Sequence, residues 1–541
     1  MNKLINYDSE LAEKVLAGIS KAEKAVCSSL GPAGRPSLLM KGGTAKITKD
    51  GISIFNSLSF KDPFEEAGVV ALREASAKTN SDAGDGTTTS TEIAYSIYKN
   101  GLKYITMDAN PVLIKRGIDK AAKKVIEYLK SVSKPISTKE EIKQVALISA
   151  NNDEEIAEVI AEVLSKVGNS TVKIESGGTE MAYTVVEGMS FEKGYVSMAF
   201  ATNEKLECNL ESPYVLVTDK KISSINQILK PLQSIARAMR PLLIVCEDIE
   251  GDALSVLVLN KLNKGLPICC VKAPSYGANR KGMLQDIAAL TGGRVVSDEN
   301  GIALDNVTVE DGVMGVAKSV TVNKDTTVII GSDATKDSLA KYVEGLNAQV
   351  EQTKDEFENK KLVERVSRLT TGIAKIFVGA HTEAELNEKK DRVIDAFSAA
   401  KASMKEGIVP GGGVALLRAM QDVDFDSITD NVDEKLGVNI LKKSLSSPAR
   451  KIFDNAGLDS SLIVSKILEN ENKNAGYDAL KNEYVDMFDA GIVDPTLVEC
   501  SVVQNASSVA SLLLTTVCAV VDDPDDKPVQ SAYPSGMGGM M

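Results

Sequence analysis

Tryptophan is absent from the 541-residue chain, and histidine occurs once, at His381. A Ser-His-Asp triad would have to use that one imidazole, and a two-histidine zinc site is impossible. His381 stands in VGAHTEAELNEKK, ahead of a charged helical stretch, where a surface or capping role is expected. Glycine is nowhere followed by lysine, so no GxxxxGK(S/T) loop exists, and no GxGxxG opens a strand-turn-helix unit. A nucleotide site must cradle phosphate in another way. Basic patches are missing as well. The 62 Lys and Arg against 75 Asp and Glu leave a net charge of −13, which offers nucleic acid little counter-charge. The seven cysteines, Cys27, Cys208, Cys246, Cys269, Cys270, Cys500 and Cys518, show no CxxC spacing and read as buried or free thiols of a reducing compartment. No uninterrupted apolar run approaches the roughly 20 residues that span a bilayer. The N-terminal MNKLINYDSELAEKVLAGISKAEKAV is acidic and helical in pattern, unlike a signal or transit peptide, so a cytoplasmic location is expected.

What the chain does contain is too much for one core, since domains seldom grow past roughly 250 to 300 residues. Two or three domains are expected. Residues 8 to about 130 are mainly helical in pattern, as in FEEAGVVALREASAKTN, and helical blocks recur at about 383–470 and 497–520. Between them lie the β-rich runs TVKIES, TVVEGM, YVLVTDKKI, PLLIVCEDI, PICCVKAP, GRVVS, KSVTV and TTVII, which read as an inserted α/β domain. Lys134-Pro135, Gly188, Gly372 and Gly407 are candidate hinges at its flanks. The end, DDPDDKPVQSAYPSGMGGMM, is expected to be a flexible tail.

One segment carries chemistry. SDAGDGTTTSTEIAYSIYKNGLKYI sets Gly84-Asp85-Gly86 and three threonines immediately before an apolar-periodic helix. Unpaired N–H groups and the positive end of a helix dipole make an oxyanion seat there, and the hydroxyls add donors. Asp85 would repel phosphate unless a divalent cation lay between them, which makes it a Mg2+ ligand candidate. A plain turn with Thr caps is the alternative. Upstream, SSLGPAGRPSLLM offers a second Gly-Pro-Gly loop after a helix, and ITKDGISIF sets Lys49-Asp50-Gly51 at an expected hairpin turn.

Taken together, Ser29-Leu30-Gly31-Pro32, Lys49-Asp50-Gly51, Asp85 to Thr89, NPVLIKRGIDKA, VVEGMSFEKGY, ESPYVLVTDKKIS, VKAPSYGANRKGMLQDIAALTGG, EKKDRVIDAFSAAKASMKEGIVPGGGVAL, Asp494-Pro495-Thr496 and the GGM-type tail resemble the signature stretches of group I chaperonins, in that family's order and spacing. The resemblance implies a GroEL-like multidomain α and α/β fold. Its parts would be an equatorial domain in two pieces (1–131 and 407–521), an intermediate domain in two pieces (132–187 and 373–406), an inserted α/β apical domain (188–372) and the tail (522–541). It further implies an ATP-hydrolysing chaperone, in which two stacked heptameric rings enclose non-native polypeptides under a GroES-type lid.

By the same resemblance Asp85 ligates Mg2+, and Gly86, Thr87, Thr88 and Thr89 cradle the phosphates. Ser29, Leu30, Gly31, Pro32 and Lys49 line the nucleotide, Ser29 and Lys49 holding K+ through their backbone. Gly411 and Gly412, Asp478, Ala479, Leu480 and Asp494 meet the ribose and base. Asp50 and Asp395 are the implied catalytic carboxylates, with Asp395 setting the rate. Clients and lid would be held by Tyr195, Phe200, Leu229, Leu232, Leu254, Val258, Leu259 and Asn260. Two apolar sets at helical spacing, Ile225, Ile228, Leu229, Leu232 and Ile235, then Leu254, Leu257, Val258 and Leu259, support part of that. Core packing explains some of each set, but the second is apolar on more than one face. The chain departs from the family at Ser29, where Thr is usual, at Ala33 and Pro36, at Ala199, where an aromatic is usual, and at Thr371, where Gly is usual. The rival readings are a non-cycling scaffold on the same fold and a small-molecule ATPase or kinase. Against the scaffold stands the joint retention of Asp50, Asp85 and Asp395, each expected to be dispensable for folding. Against the small-molecule enzyme stands the apolar insert.

Overall fold

The computed structural model describes residues 2–524 apart from 42, 43, 137, 151, 169–171, 179, 204, 205, 265, 266, 354 and 381. His381 and tail residues 525–541 therefore lie outside the described residues. In chain order the first arm holds strand β1 (Lys3–Tyr7), helix α1 (Asp8–Cys27), strands β2 (Ser37–Lys41) and β3 (Thr44–Thr48), and helices α2 (Gly51–Ser57), α3 (Pro63–Ala83), α4 (Thr87–Ile105), α5 (Pro111–Ser131), α6 (Lys139–Ser149) and α7 (Glu154–Val167). The insert follows with β4 (Val172–Ser176), β5 (Ala182–Val186), β6 (Gly188–Phe191), β7 (Cys208–Glu211), β8 (Tyr214–Val217), β9 (Lys221–Ile222), α8 (Leu229–Ala238), β10 (Leu242–Cys246), β11 (Asp248–Ile249), α9 (Gly251–Lys264), β12 (Ile268–Lys272), α10 (Gly277–Thr291), β13 (Gly315–Val322), β14 (Thr327–Gly331), α11 (Lys336–Gln352), α12 (Glu356–Thr370) and β15 (Ile373–Val378). The chain returns through α13 (Glu383–Glu406), β16 (Ile408–Pro410), α14 (Val414–Asp422), α15 (Val432–Ser444), α16 (Ser447–Asn455), α17 (Ser460–Glu469), β17 (Ala475–Asp478), β18 (Glu483–Asp486), β19 (Val493–Pro495), α18 (Thr496–Leu514) and β20 (Cys518–Asp522). Two compact units result, Met1–Glu162 with Ala380–Met541, and Val163–Gly379.

The first unit is helical because its long segments bury an apolar stripe. Ile114, Ile118, Val125 and Leu129 of α5, for instance, are fully buried. At its centre runs α18, packed against α3, α4 and α5 and burying Val498, Val502, Val503, Ala506 and Ala510. This helix is long and apolar enough to cross a membrane by length and composition, but the partners on several sides account for its hydropathy as a core helix does. Strands β1 and β20 meet in an antiparallel pair, Lys3 opposite Asp522 through Tyr7 opposite Cys518. The expected helical block 497–520 therefore ends early, and its last residues form a strand.

The second unit is built on a mixed seven-stranded sheet in the order β12-β10-β8-β13-β14-β6, with β7 also paired to β13. Strands β12, β10 and β8 run parallel and read as continuous apolar runs, Leu242–Cys246 being wholly buried, as expected of strands covered on both faces. A separate sheet joins β4, β15 and β5. The expected strand at GRVVS does not form. Val296 makes only an isolated parallel bridge to Thr218. Gly188 and Gly372 serve close packing as much as turning: a Cβ on Gly188 would lie 2.6 Å from Ile329 O, and one on Gly372 2.7 Å from Val186 O.

Candidate functional site

Three turns of the first unit build a cavity of about 750 Å3, within the usual size of a ligand pocket. In the first, α3 ends at Gly84 and α4 starts after Gly86, both glycines being left-handed (φ 76° and 85°). No larger residue fits at Gly86, where a Cβ would meet Val498 and Val502 of α18 at 2.7 and 2.8 Å. Thr87, Thr88 and Thr89 form the first turn of α4 and line the cavity with Asp85 and Gly86. The second is the Ser29–Pro32 loop after α1. Gly31 lies against Ile452, and Asn455 donates to the carbonyls of Cys27 (2.8 Å) and Leu30 (2.9 Å), so α16 holds the loop in place. In the third, Gly411 to Gly413 turn β16 into α14.

The expected hairpin turn at Lys49-Asp50-Gly51 is corrected by the structure. Asp50 instead N-caps α2, its two carboxylate oxygens accepting from the N–H groups of Ile52 (3.1 Å) and Ser53 (2.9 Å). Those orphan donors of the helix start outweigh the hairpin signal. Asp50 thus has a structural task, and its retention no longer speaks for catalysis by itself.

Of the nucleotide residues named from sequence, all but Gly411 line the cavity, together with Asp50 and Asp395. A Cβ on Gly411 would lie 3.0 Å from Ile492 and Val493, so its Cα is packed on the neighbouring strand, and Gly413 stands at the cavity with Gly412. Asp478 accepts from the N–H groups of Leu480 and Lys481 and so shapes the turn that presents Ala479 and Leu480. Residues the sequence reading did not name complete the wall: Ser149, Asp391 and Arg392, Ile452, Phe453 and Tyr477, and Glu499. Phe453 and Tyr477 meet edge to face at 5.8 Å, forming with Ile452 an apolar side suited to a flat base.

The opposite side is acidic. Burial pushes Asp85 above the usual carboxylate range, opposed by the Gly86 N–H and the Ser149 hydroxyl, while Asp50 pushes it further. Burial holds Asp395 well above that range, reinforced by Asp85, Asp50 and Asp391. Asp494 is pushed up to about 6 by burial and by Asp85, against the N–H groups of Gly412 and Gly413. Glu499 is held far up by burial and by Asp494, and one of its oxygens, Oε2, is buried without a partner among the described residues. Carboxylates crowded this closely on a phosphate-sized seat repel a polyanion unless a cation joins them, and hard oxygen donors suit Mg2+. The donor set fits that ion.

A model of the TCP-1/cpn60 chaperonin family matches residues 23–524, nearly the whole chain. The chain belongs to that family. Among solved structures, this chaperonin resembles the chaperonin gp146 of bacteriophage EL 2 (Pseudomonas aeruginosa), crystallised in the presence of ATP-BeFx. One crystal form aligns with a TM-score of 0.72 at 21% identity, and another with 0.63 at 20%, each over 96% of this chain and 99% of that one. These likenesses show that the chaperonin fold extends along the chain.

In the second unit of the chaperonin, the expected client residues divide by burial. Phe200 is fully buried beneath Lys261, whose Nζ donates to the carbonyls of Ala199 and Ala201, and Leu232 is buried too. Both therefore pack beneath the surface of this unit. Tyr195, Leu254, Val258 and Asn260 are half-buried, and Asn260 donates to Val256 O. Leu229 and Leu259 are exposed, as is Leu262, which the sequence reading passed over. Leu259 (55% exposed) and Leu262 (67%) leave α9 apolar on its outer side as well as its inner one.

Proposed function

We propose that this chain is a group I-type chaperonin subunit that binds and hydrolyses ATP and uses the cycle to hold, enclose and release non-native polypeptides. The observation that carries the reading is the cavity that gathers Asp50, Asp85, Asp395 and two glycine turns around a phosphate-sized seat. The ATP-BeFx in the phage chaperonin crystals supports a nucleotide there. Asp85 would hold Mg2+, and the Ser29 and Lys49 carbonyls K+. When bound, Mg2+ neutralises charge on the phosphates. The residues of the chain do the rest. The N–H groups and hydroxyls of Thr87, Thr88 and Thr89 orient the phosphate chain, and the apolar side at Phe453 and Tyr477 takes the base. Asp395, carried on α13, orients the attacking water and accepts its proton, a task suited to a carboxyl whose proton affinity burial has raised.

Outward-facing Leu229, Leu259 and Leu262 would hold clients without a sequence code, as promiscuous binding requires. Two stacked heptameric rings closed by a GroES-type lid complete the proposal, in a reducing cytoplasm that keeps the seven cysteines free of disulfides. The test is ATP turnover by purified protein with its Asp395→Ala variant. The proposal expects turnover in the parent and its collapse in the variant. Equal turnover in both would refute the catalytic assignment.

A non-cycling scaffold is the second reading, and the cap made by Asp50 favours it, since a folding role would preserve that residue without catalysis. It expects ATP binding without turnover in the parent.

A further inference from the structure

Behind the phosphate turn lies a cluster for which nucleotide binding has no use. Glu23 and Cys27 stand one turn apart near the end of α1, and Glu92 projects from the second turn of α4. Their carboxylate and thiol ligand atoms all lie within 4.8 Å of one another, and all three side chains are buried. Glu92 is only 7% exposed, and its Oε2 has no hydrogen-bond partner among the described residues. Ser447 Oγ, at the start of α16, is buried beside Glu92. A single ammonium, Lys451 of α16, pairs with Glu23 at 2.5 Å. Burial and the neighbouring Glu23 push the Glu92 carboxyl up to about 8, so without a cation the two carboxyls share a proton, and the unpartnered Oε2 remains costly.

We propose that Glu23, Cys27 and Glu92 bind a borderline divalent cation of the Zn2+ type. One thiolate and two carboxylates match the S and O donors that Zn2+ accepts in four-coordinate sites, and a thiolate disfavours Mg2+ and Ca2+. Ser447 Oγ or water fills the fourth position. On binding, the Cys27 thiol releases its proton to solvent. The Lys451 side chain is 23% exposed, which gives its ammonium a way out to water as the cation takes its place. The ion then fastens α1, α4 and α16 behind the cavity. Cys27 lies two residues before Ser29, its thiol donates to Thr88 O (3.6 Å), and Lys451 precedes the lining residue Ile452. The site stands whether or not the chain hydrolyses ATP.

The test uses full-length protein stripped of metal with a chelator and titrated with Co2+ as a spectroscopic probe, then with Zn2+. The proposal expects one tight Co2+ per chain, with a thiolate-to-cobalt charge-transfer band in the near ultraviolet that Zn2+ removes. Cys27→Ser and the isosteric Glu92→Gln each abolish the band, with far-ultraviolet circular dichroism confirming the fold, whereas Cys500→Ser keeps it. A parent without the band overturns the site, because the two carboxylates then share a proton instead. A band that survives either Cys27→Ser or Glu92→Gln overturns it as well.

Discussion

Asp395 has no hydrogen-bonded cap to make and no helix to start, unlike Asp50 at the head of α2. The two substitutions are therefore expected to separate. Asp395→Ala should lower turnover by at least about 100-fold, the contribution typical of a positioned base, with nucleotide affinity and melting temperature nearly kept. Asp50→Ala should lose turnover and also about 1 kcal/mol of stability with its cap, measured by denaturant unfolding. Asp494 gives a pH signature. Its carboxyl titrates at about 6 in the folded chain, above its ordinary value of 3.8, so the folded state binds the proton more tightly than the unfolded one. The contribution is therefore full below about pH 4 and lost as pH rises through about 6. Nucleotide-free parent, compared with Asp494→Asn, is expected to lose melting temperature across that window, and a constant difference would refute the assignment.

At the scale of elements, the link between α16 and the Ser29–Pro32 loop is the most exposed to test. Asn455→Ala removes two hydrogen bonds, one to Leu30 of that loop and one to Cys27 at the end of α1, and should cost about 1–2 kcal/mol. It should weaken nucleotide binding several-fold while leaving turnover at saturation close to the parent, as calorimetry and kinetics would show. On α9, Leu259→Ser and Leu262→Ser touch exposed side chains. Stability should stay within about 0.5 kcal/mol, while capture of a denatured client falls. The Asp85–Thr89 turn was legible in sequence because a helix start is a local signal, with glycine, acid and hydroxyls standing in consecutive positions. Glu499 was not, because it meets Asp85, distant in sequence, only when α18 packs against α3 and α4. The turn at Asp50 was misread because KDG signals a hairpin and a capped helix alike, and only the N–H groups of Ile52 and Ser53 decide between them. Phe200 and Leu259 look alike as apolar residues, and only packing separates the buried one from the exposed one.

For the whole molecule, the helical unit and its α/β insert followed from the change of apolar period along the chain, from helical spacing in the arms to short β runs between them. The small pairings β1–β20 and β16–β19 did not, since each joins residues far apart in sequence through three to five positions. The proposed ring assembly and enclosure would act above the single chain, and the coupling of turnover to folding would be their direct readout. The decisive measurement is therefore steady-state ATP hydrolysis together with refolding of a denatured client, for the parent and Asp395→Ala, each with and without the lid protein. The account expects the parent to hydrolyse ATP and refold the client, and Asp395→Ala to bind ATP with almost no turnover. A parent that binds ATP without hydrolysing it, while still retaining client, would contradict the account and leave a scaffold on the chaperonin fold.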